Sequence, residues 1–268
     1  MGLWEYGENL IFMISQPRSG STLLQLILGS HPDVYTMSEP WIMLHPLYAL
    51  RQEGYQAEYG ENLARIAMRN FFAALPMGEE TYIRGVRRTY AYLYERALES
   101  SGKRYFLDKT PRYYFIIPEL RRTFPKAHNI ILLRNPLAVL CSILKTWVKD
   151  CWPSLYGYKN DLIRAPRLLC EGIGALGKQG VIVYYERLIK NPQREVPRIC
   201  NILGVEFLPE MINYDHHALL NWSFGDQEGA QEYSRPSPEN AEKWVQLLVH
   251  PQFWRLANEY LQLLGRET

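Results

Sequence analysis

A run of arginine, glycine and hydroxyl residues follows the first apolar segment and has the composition of an anion-binding turn. The segment Leu10–Ser15 (LIFMIS) leads into QPRSGST at residues 16–22, after which a helical pattern begins. A turn from a strand into a helix directs backbone N–H groups at one point, and the helix dipole adds positive charge there. Arg18 can add a forked contact to an anion. The alternative is an ordinary helix start with Ser21 or Thr22 as its N-cap.

This turn differs from the loop that binds nucleoside triphosphates. That loop reads GxxxxGK[ST], with its lysine on the β- and γ-phosphates and its hydroxyl on magnesium. Here Gly20 directly precedes Ser21, and no apolar strand ending in aspartate supplies a second magnesium ligand. A kinase is therefore disfavoured. It remains an alternative that predicts magnesium-dependent ATP binding.

Two further polar groups follow apolar runs. Asn129–Leu133 (NIILL) leads into Arg134, and Ser142 follows eight residues later on a helical stretch. The run VIVYY at residues 181–185 overlaps the stretch Val183–Leu188. Ligands of open α/β sheets bind at the carboxyl ends of the strands, where both groups are expected. Taken alone, an arginine at such a place is more often a surface ion pair.

Apolar runs alternate with longer helical patterns. Leu10–Ser15, Tyr105–Leu107, Asn129–Leu133 and Val181–Tyr185 are predicted strands, and their continuous apolar character is typical of a parallel sheet covered on both faces. Helices are predicted at Thr22–Leu28, Tyr59–Ala74, Tyr90–Glu99, Leu137–Trp147, Pro192–Leu203 and Pro238–Leu248, the last running on through Phe253–Leu264. This order predicts an α/β fold in which helices flank a central parallel sheet, as a single P-loop-like domain over residues 1–268. Ser223–Pro238 is predicted to be a long loop.

The composition is that of an ordinary globular chain of 268 residues, with 47% apolar residues and a net charge of +2. The balanced charge argues against a nucleic-acid partner. No apolar run approaches the ~18–20 residues of a membrane helix, and the N-terminus lacks the features of a signal peptide, so we expect no membrane partner and a cytoplasmic location. The four cysteines lack metal-ligand spacing and are predicted to be buried thiols. The sequence does not indicate the oligomeric state.

The three polar groups, in this order, resemble the motifs of the sulfotransferase superfamily that uses 3′-phosphoadenosine 5′-phosphosulfate (PAPS). The resemblance implies that Pro17–Thr22 holds the 5′-phosphosulfate. It implies that Arg134 and Ser142 hold the 3′-phosphate, and that Tyr185, within Val183–Leu188, lies near the adenine. The cofactor is then PAPS, the product is PAP, and no metal is required. The resemblance spans roughly residues 10–244.

Within the superfamily the chain is most similar to the tyrosylprotein sulfotransferase branch. RSGSTLLQLILGSHPDVYTMSE resembles that branch without a gap and places its general base at Glu39. YFLDKTPRY resembles the second catalytic segment, with its lysine at Lys109. The stretch Arg235–Trp244 resembles a late cofactor loop, with Ser237 and Lys243 in matching places. The cofactor-binding residues implied by the resemblance are Arg18, Ser19, Gly20, Ser21, Thr22, Arg134, Ser142, Tyr185, Ser237 and Lys243.

The chain departs from the known branches at three places. The cytosolic branch has a catalytic histidine two residues after the lysine, where this chain has Pro111, which supports Glu39 as the base. The tyrosylprotein branch has a second arginine four residues after the serine, where this chain has Thr146 beside Lys145. That branch also carries an N-terminal membrane helix, and none is recognised here.

The implied reaction moves a sulfuryl group from PAPS to an acceptor hydroxyl. Glu39 would take the proton of the hydroxyl, while Lys109 and Arg18 balance charge on the sulfuryl group and the leaving phosphate. Without the resemblance, Glu39 reads as a surface turn and Lys109 as a solvated ion pair with Asp108.

The acceptor is expected to be a small-molecule hydroxyl, with an acidic peptide tyrosine as the second choice and a catalytically silent PAP-binding module as a further alternative. Aromatic residues are frequent in the segments Trp41–Tyr59, Tyr82–Tyr94 and Trp147–Tyr158, which suits an apolar or aromatic acceptor pocket. The basic residues Arg84, Arg87 and Arg88 would either face an acidic substrate or form solvated surface.

Overall fold

Five parallel strands form the central sheet. The computed structural model describes residues 6–51, 60–149, 151–214, 235–249 and 251–267. The strands are β1 (Leu10–Ser15), β2 (Val34–Thr36), β3 (Tyr105–Lys109), β4 (His128–Leu133) and β5 (Gly180–Tyr184), in the order β2-β3-β1-β4-β5. All neighbouring strands run parallel. The predicted α/β fold with a central parallel sheet is confirmed.

Both faces of the sheet are covered, which is why its strands read as continuous apolar runs. In β1, Ile11 and Met13 belong to one buried apolar cluster, while Leu10, Phe12 and Ile14 belong to another. Successive side chains of a strand point to opposite faces, so the two clusters lie on opposite sides of the sheet.

Helices and short turns of other helical types cover the two faces. The α-helices are α1 (Ser21–Gly29), α2 (Leu44–Tyr48), α3 (Glu61–Ala74), α4 (Glu79–Glu99), α5 (Ile117–Thr123), α6 (Pro136–Ile143), α7 (Ala165–Leu176), α8 (Tyr185–Lys190), α9 (Pro192–Leu203) and α10 (Pro251–Glu267). The 3₁₀ turns are Pro111–Phe115, Trp152–Tyr158, Gly177–Gln179, Pro209–Ile212, Pro238–Ala241 and Lys243–Val249, and the π-helical turns are Leu144–Val148 and Asn160–Arg164.

Strand β2 and helices α2, α5, α7 and α8 were not predicted, and two predicted helices differ from the structure. Strand β2 escaped prediction because three residues at a sheet edge are too few to show a period. Helix α4 begins at Glu79 rather than Tyr90, since its first half is largely polar and reads as loop. The helix predicted at Pro238–Leu248 is two 3₁₀ turns, held by bonds from Asn240 N to Ser237 O (3.1 Å) and from Val245 N to Glu242 O (2.9 Å). Repeats of 3.0 and 3.6 residues are hard to tell apart over so short a segment.

Smaller corrections concern the last strand and the cysteines. Tyr185 begins α8 instead of ending β5. All four cysteines are free, but only Cys141 and Cys200 are buried, whereas Cys151 and Cys170 are exposed. Most of the predicted loop Ser223–Pro238 lies outside the described residues.

The strand register brings the predicted site residues to one edge of the sheet. Met13 of β1 is paired with Lys109, the last residue of β3. On the other side of β1, Ser15 is paired with Leu132 of β4, two residues before Arg134. Because parallel strands share the edge at their carboxyl ends, the segments that follow β1, β3, β4 and β5 meet there.

Candidate active site

The turn between β1 and α1 has the backbone of an anion cradle. Gly20 is the N-cap of α1 and lies in the left-handed region (φ 88°, ψ 21°), so the alternative of an N-cap at Ser21 or Thr22 is wrong. In the described part of the chain no side chain caps this helix. The N–H of Ser19 is committed within the turn, where it donates to Gln16 O at 3.2 Å. The N–H groups at the start of α1 have no carbonyl one turn earlier and can serve an anion.

Two buried polar atoms of the cradle have no hydrogen-bond partner among the described residues. They are the Ser19 hydroxyl oxygen and Arg134 Nε. A buried donor without a partner costs free energy, and such groups at a site are commonly satisfied by a ligand. Both atoms suit phosphate oxygens, so the residues present fit a donor that carries two phosphate groups.

Arg18, Arg134 and Ser142 lie together beside the turn. Arg18 Nε donates to Ser142 Oγ at 3.0 Å, and Arg134 Nη1 donates to Arg18 O at 2.8 Å. The backbone of Arg18 has a positive φ of 67°, which costs free energy for a side-chain-bearing residue. These contacts keep two guanidinium groups beside the cradle despite their mutual repulsion, an arrangement that favours a polyanion.

Tyr185 is buried against the cradle. A Cβ added at Gly20 would lie 2.4 Å from the Tyr185 ring, so glycine is required there by space as well as by its φ. Arg134 Cζ lies 4.3 Å from the centroid of the same ring, within cation–π distance. Tyr185 thus forms one wall of the anion cradle, and its role beside the adenine stays a prediction.

Ser237 and Lys243 lie on the 3₁₀ segment near the C-terminal end of the chain. Ala241, between them, is buried in the apolar cluster that also contains Tyr185. Cys141 of α6 contacts Trp244 O through its Sγ at 4.0 Å. The segment therefore packs against the helices that follow Arg134 and begin at Tyr185. Cofactor binding by Ser237 and Lys243 stays a prediction.

The two predicted catalytic side chains form a buried pair. Lys109 Nζ lies 2.7 Å from Glu39 Oε1, and the two side chains are 0% and 12% exposed. The interpretation of Lys109 as a solvated partner of Asp108 is therefore wrong. Removing one partner of such a buried pair would leave an uncompensated charge, which is strongly unfavourable. The pair meets at the sheet edge because β2 leads into Glu39 and β3 ends at Lys109.

The sequence of the chain matches a family model described as Sulfotransferase family over residues 10–209, more than half of the chain. The chain belongs to the sulfotransferase family. This result confirms the resemblance inferred from the three motifs. The matched range contains the cradle, Glu39, Lys109 and Tyr185, and it ends before Ser237.

Curated relatives of this sulfotransferase include proteins of two kinds. It is 31% identical over 217 residues to the nodulation protein NoeE of Sinorhizobium fredii, covering 74% of this chain and 50% of the relative. It is 28% identical over 240 residues to a putative protein-tyrosine sulfotransferase of Caenorhabditis briggsae, covering 87% of this chain and 78% of the relative. The chain thus spans about half the length of NoeE.

Solved sulfotransferases share its fold. The sulfotransferase domain of the Synechococcus PCC 7002 olefin synthase is 25% identical with a TM-score of 0.57, covering 88% of this chain and 86% of that one. Mouse sulfotransferase SULT7A1, solved in complex with PAP, is 14% identical with a TM-score of 0.50, covering 97% and 86%. Within the described residues, no helix of this sulfotransferase is long and apolar enough to span a membrane.

A buried carboxyl that was not predicted as a site residue, that of Asp108, directly precedes Lys109 in β3. Asp108 is fully buried and accepts hydrogen bonds from Tyr94 (2.5 Å), Tyr113 (2.9 Å) and Thr110 (2.8 Å). Burial raises the pKa of Asp108 to about 6, even though these three bonds lower it. Tyr113 OH also accepts from Met43 N at 3.2 Å, which ties β3 to the segment after Glu39. In the sequence, the only indication of a role for Asp108 was its position directly before Lys109.

Parts of the predicted acceptor segments have other roles. Tyr94 is buried in the core, where its hydroxyl donates to Asp108. Arg87 is also buried and donates to Thr123 O (2.5 Å) and Arg122 O (3.0 Å). Arg84 pairs with Glu80 on the surface. Trp41, in contrast, contacts Glu39 directly, because its indole N–H donates to Glu39 Oε2 at 3.0 Å. Residues 52–59 lie outside the described part.

Proposed function

We propose that this protein transfers a sulfuryl group from PAPS to the hydroxyl of a small-molecule acceptor, with Glu39 as the general base. The observation that carries the proposal is the Lys109–Glu39 pair at the sheet edge that also holds the anion cradle. A cradle alone would suit a silent binding module. A buried carboxylate and ammonium beside it supply a base and an electrophilic group for transfer.

The donor would be held by groups that the fold already positions. The N-terminus of α1 and the Ser19 hydroxyl would bind the 5′-phosphate, and Arg134 with Ser142 would bind the 3′-phosphate. When bound, PAPS supplies the sulfuryl group, with PAP as the leaving group. Lys109 and Arg18 would face the negative charge that collects on the sulfuryl and phosphate oxygens. Their positive charge stabilises it without rearrangement, as in other in-line group transfers.

Glu39 would receive the proton of the acceptor hydroxyl. Oε1 and Oε2 each accept one hydrogen bond already, from Lys109 and from Trp41. A carboxylate oxygen has two lone pairs, so a further lone-pair direction remains for the acceptor. General-base assistance of this kind contributes about 10²–10⁴ in rate.

Limited access to Glu39 supports a slender acceptor. Its side chain is only 12% exposed, so little of the carboxylate is open to an acceptor hydroxyl. An alcohol or phenol on a small molecule suits this limited access. The second candidate is the tyrosine of a peptide, which is favoured by the 28% identity to a putative protein-tyrosine sulfotransferase over 87% of this chain.

A thermal-shift experiment tests the donor. PAP at about 100 times its Kd should add roughly 2.7 kcal/mol to the free energy of unfolding. At about 2–4 °C per kcal/mol this is a shift of several degrees in Tm. We expect the shift with PAP, its reduction to about half or less in Arg134→Ala, and its retention in the control Arg84→Ala, which changes a side chain that is 57% exposed. A shift with ATP and magnesium but none with PAP would overturn the proposal in favour of a kinase.

A transfer assay tests the acceptor. Purified protein with labelled PAPS would be offered a panel of small alcohols and phenols beside acidic tyrosine peptides. Label on a small molecule, and its loss in Glu39→Gln, is the expected result. Label only on the peptides would replace the first candidate by the second. PAP binding without transfer to any acceptor would favour the silent binding module.

A further inference from the structure

The carboxylate of Glu39 is held at both of its oxygens. Lys109 Nζ lies 2.7 Å from Oε1, and Trp41 Nε1 donates to Oε2 at 3.0 Å. One donor at one oxygen would leave the carboxylate able to rotate about its terminal torsion, which is broad in glutamate. Two donors on opposite oxygens fix the plane of the group. Trp41 therefore adds an orientation that Lys109 alone does not supply.

Trp41 holds this position in a strained backbone. Its φ is 57°, in the left-handed region, where a bulky residue is a genuine outlier. Such a conformation persists only where the surroundings over-determine it, and it is concentrated at functional sites. Here it turns the chain two residues after Glu39, so that the indole N–H points back to the carboxylate.

An ion pair lies beneath the indole, with a buried Asp161 carboxylate and an Arg112 side chain that is 32% exposed. Arg112 Cζ is 5.4 Å from the centroid of the Trp41 ring. Arg112 donates to both carboxylate oxygens of Asp161, from Nε at 3.0 Å and from Nη2 at 2.6 Å. Tyr114 OH donates to Asp161 Oδ1 at 2.7 Å, and the Asp161 side chain is 4% exposed. A guanidinium held in a two-pronged pair cannot swing away from the ring.

Asp161 also connects this support to the anion cradle. It lies in the π-helical turn Asn160–Arg164, and its backbone carbonyl accepts a bond from Gln16 Nε2 at 2.7 Å. Gln16 follows β1 directly and opens the cradle turn. Asp161 therefore contacts both the turn, through Gln16, and the arginine that packs against Trp41 beside Glu39. Neither Arg112 nor Asp161 was singled out by the sequence, since their partners are 49 positions apart.

We propose that Trp41 is a positioning residue, whose indole N–H orients the Glu39 carboxylate toward the acceptor hydroxyl, and that the Arg112–Asp161 pair holds the indole in place. The inference rests on the proposed function of Glu39 as the base. It assigns Trp41 no contact with the donor. It predicts that losing the indole N–H lowers kcat and leaves donor binding unchanged.

Nuclear magnetic resonance of the indole N–H groups tests the contact without any acceptor. The chain has seven tryptophans, and Trp41→Phe identifies the Trp41 signal by its disappearance. We expect Glu39→Gln and Arg112→Ala to move that signal and leave most of the others in place. A Trp41 signal that Glu39→Gln does not move would overturn the proposal. This readout is independent of whether the protein transfers sulfuryl groups.

Kinetics of Trp41→Phe test the positioning role. The variant keeps an aromatic ring and loses the N–H, and we expect kcat to fall about tenfold, as for one lost hydrogen bond to a charged group. The KM for PAPS and the PAP thermal shift should not change. Trp254→Phe, at a side chain that is 55% exposed on α10, is the matched control and should behave as wild type.

A double-mutant comparison separates action through Glu39 from a general structural effect. In a Glu39→Gln background, Trp41→Phe should have little further effect on the remaining rate, since its target is gone. An equal tenfold loss in both backgrounds would overturn the assignment. So would an unchanged kcat in Trp41→Phe. A wild-type protein that shows neither PAP binding nor transfer contradicts the proposed function instead, and the resonance test of the contact still stands.

Discussion

The anion cradle and the Lys109–Glu39 pair lie at one sheet edge but are built in different ways. The turn of the cradle is local: seven consecutive residues, 16–22, carry the left-handed Gly20 and lead into the N-terminus of α1. The pair is distant: its two residues are 70 positions apart and meet only because β2 and β3 are neighbours. The cradle turn is thus a product of neighbouring residues, and the meeting of Glu39 with Lys109 a product of the sheet.

Glu39→Gln should have the largest effect, and it tests whether the two regions are separable. We expect kcat to fall by about 10²–10⁴, because an amide cannot accept the proton of the hydroxyl. The PAP thermal shift should stay as in wild type, because the cradle does not involve Glu39. Turnover with PAPS and the shift with PAP would be measured on the same preparation. A variant that loses PAP binding together with turnover would break the distinction.

Gly20→Ala should show how strongly the cradle depends on its backbone. The new Cβ meets the Tyr185 ring at 2.4 Å and the residue must keep a φ of 88°. Strain and overpacking together should lower the free energy of unfolding by about 2–4 kcal/mol.

Chemical denaturation measures this loss, with Gly85→Ala as the matched control. Gly85 lies inside α4 with open space around it, so alanine there should be neutral or slightly stabilising. If both variants unfold alike, Gly20 is not required by its conformation and the local account of the cradle is wrong.

Arg134→Ala should weaken PAP binding and leave the Lys109–Glu39 pair unchanged. Arg134 has a buried Nε without a described partner, and hydrogen bonds to charged groups contribute about 1.5–3 kcal/mol. We therefore expect a Kd for PAP raised about 10- to 100-fold, measured by calorimetry. The remaining kcat at saturating PAPS should be much closer to wild type than that of Glu39→Gln. An equal loss of kcat in both variants would mean that the regions act as one unit.

The pH dependence of the free energy of unfolding should report on the buried carboxyl of Asp108. Burial raises the pKa of Asp108 to about 6 from an ordinary 3.8. The unfolded chain releases this proton first, so the contribution of Asp108 to stability is present below pH 4 and is lost as the pH rises through about 6. Asp108→Asn should remove this decline, on the order of 3 kcal/mol, from the denaturation curves. Parallel pH curves for wild type and variant would show that a group other than Asp108 causes the decline.

The local parts of the site were predictable because their information lies close together in the chain. The anion-binding turn, the strands β1 and β4, and most of β5 and β3 were predicted from short runs, whereas the pair of Arg134 with Ser142 was implied by the family resemblance. The N-cap was misassigned because the short side chains of Ser21 and Thr22 suggest capping, whereas only the fold shows Tyr185 lying over Gly20. The 3₁₀ turns near Ser237 were likewise not separable from an α-helix by period.

By itself the sequence determined an α/β sheet, a phosphate-type turn after the first strand, and the residue types of a sulfotransferase site. The tertiary structure decided which side chains meet. It paired Lys109 with Glu39 rather than with the solvent, buried Asp108, and placed Arg112 and Asp161 under Trp41. The physical reason is that a turn is specified by neighbouring dihedral preferences, while contacts between segments depend on strand order and burial, which no local pattern records.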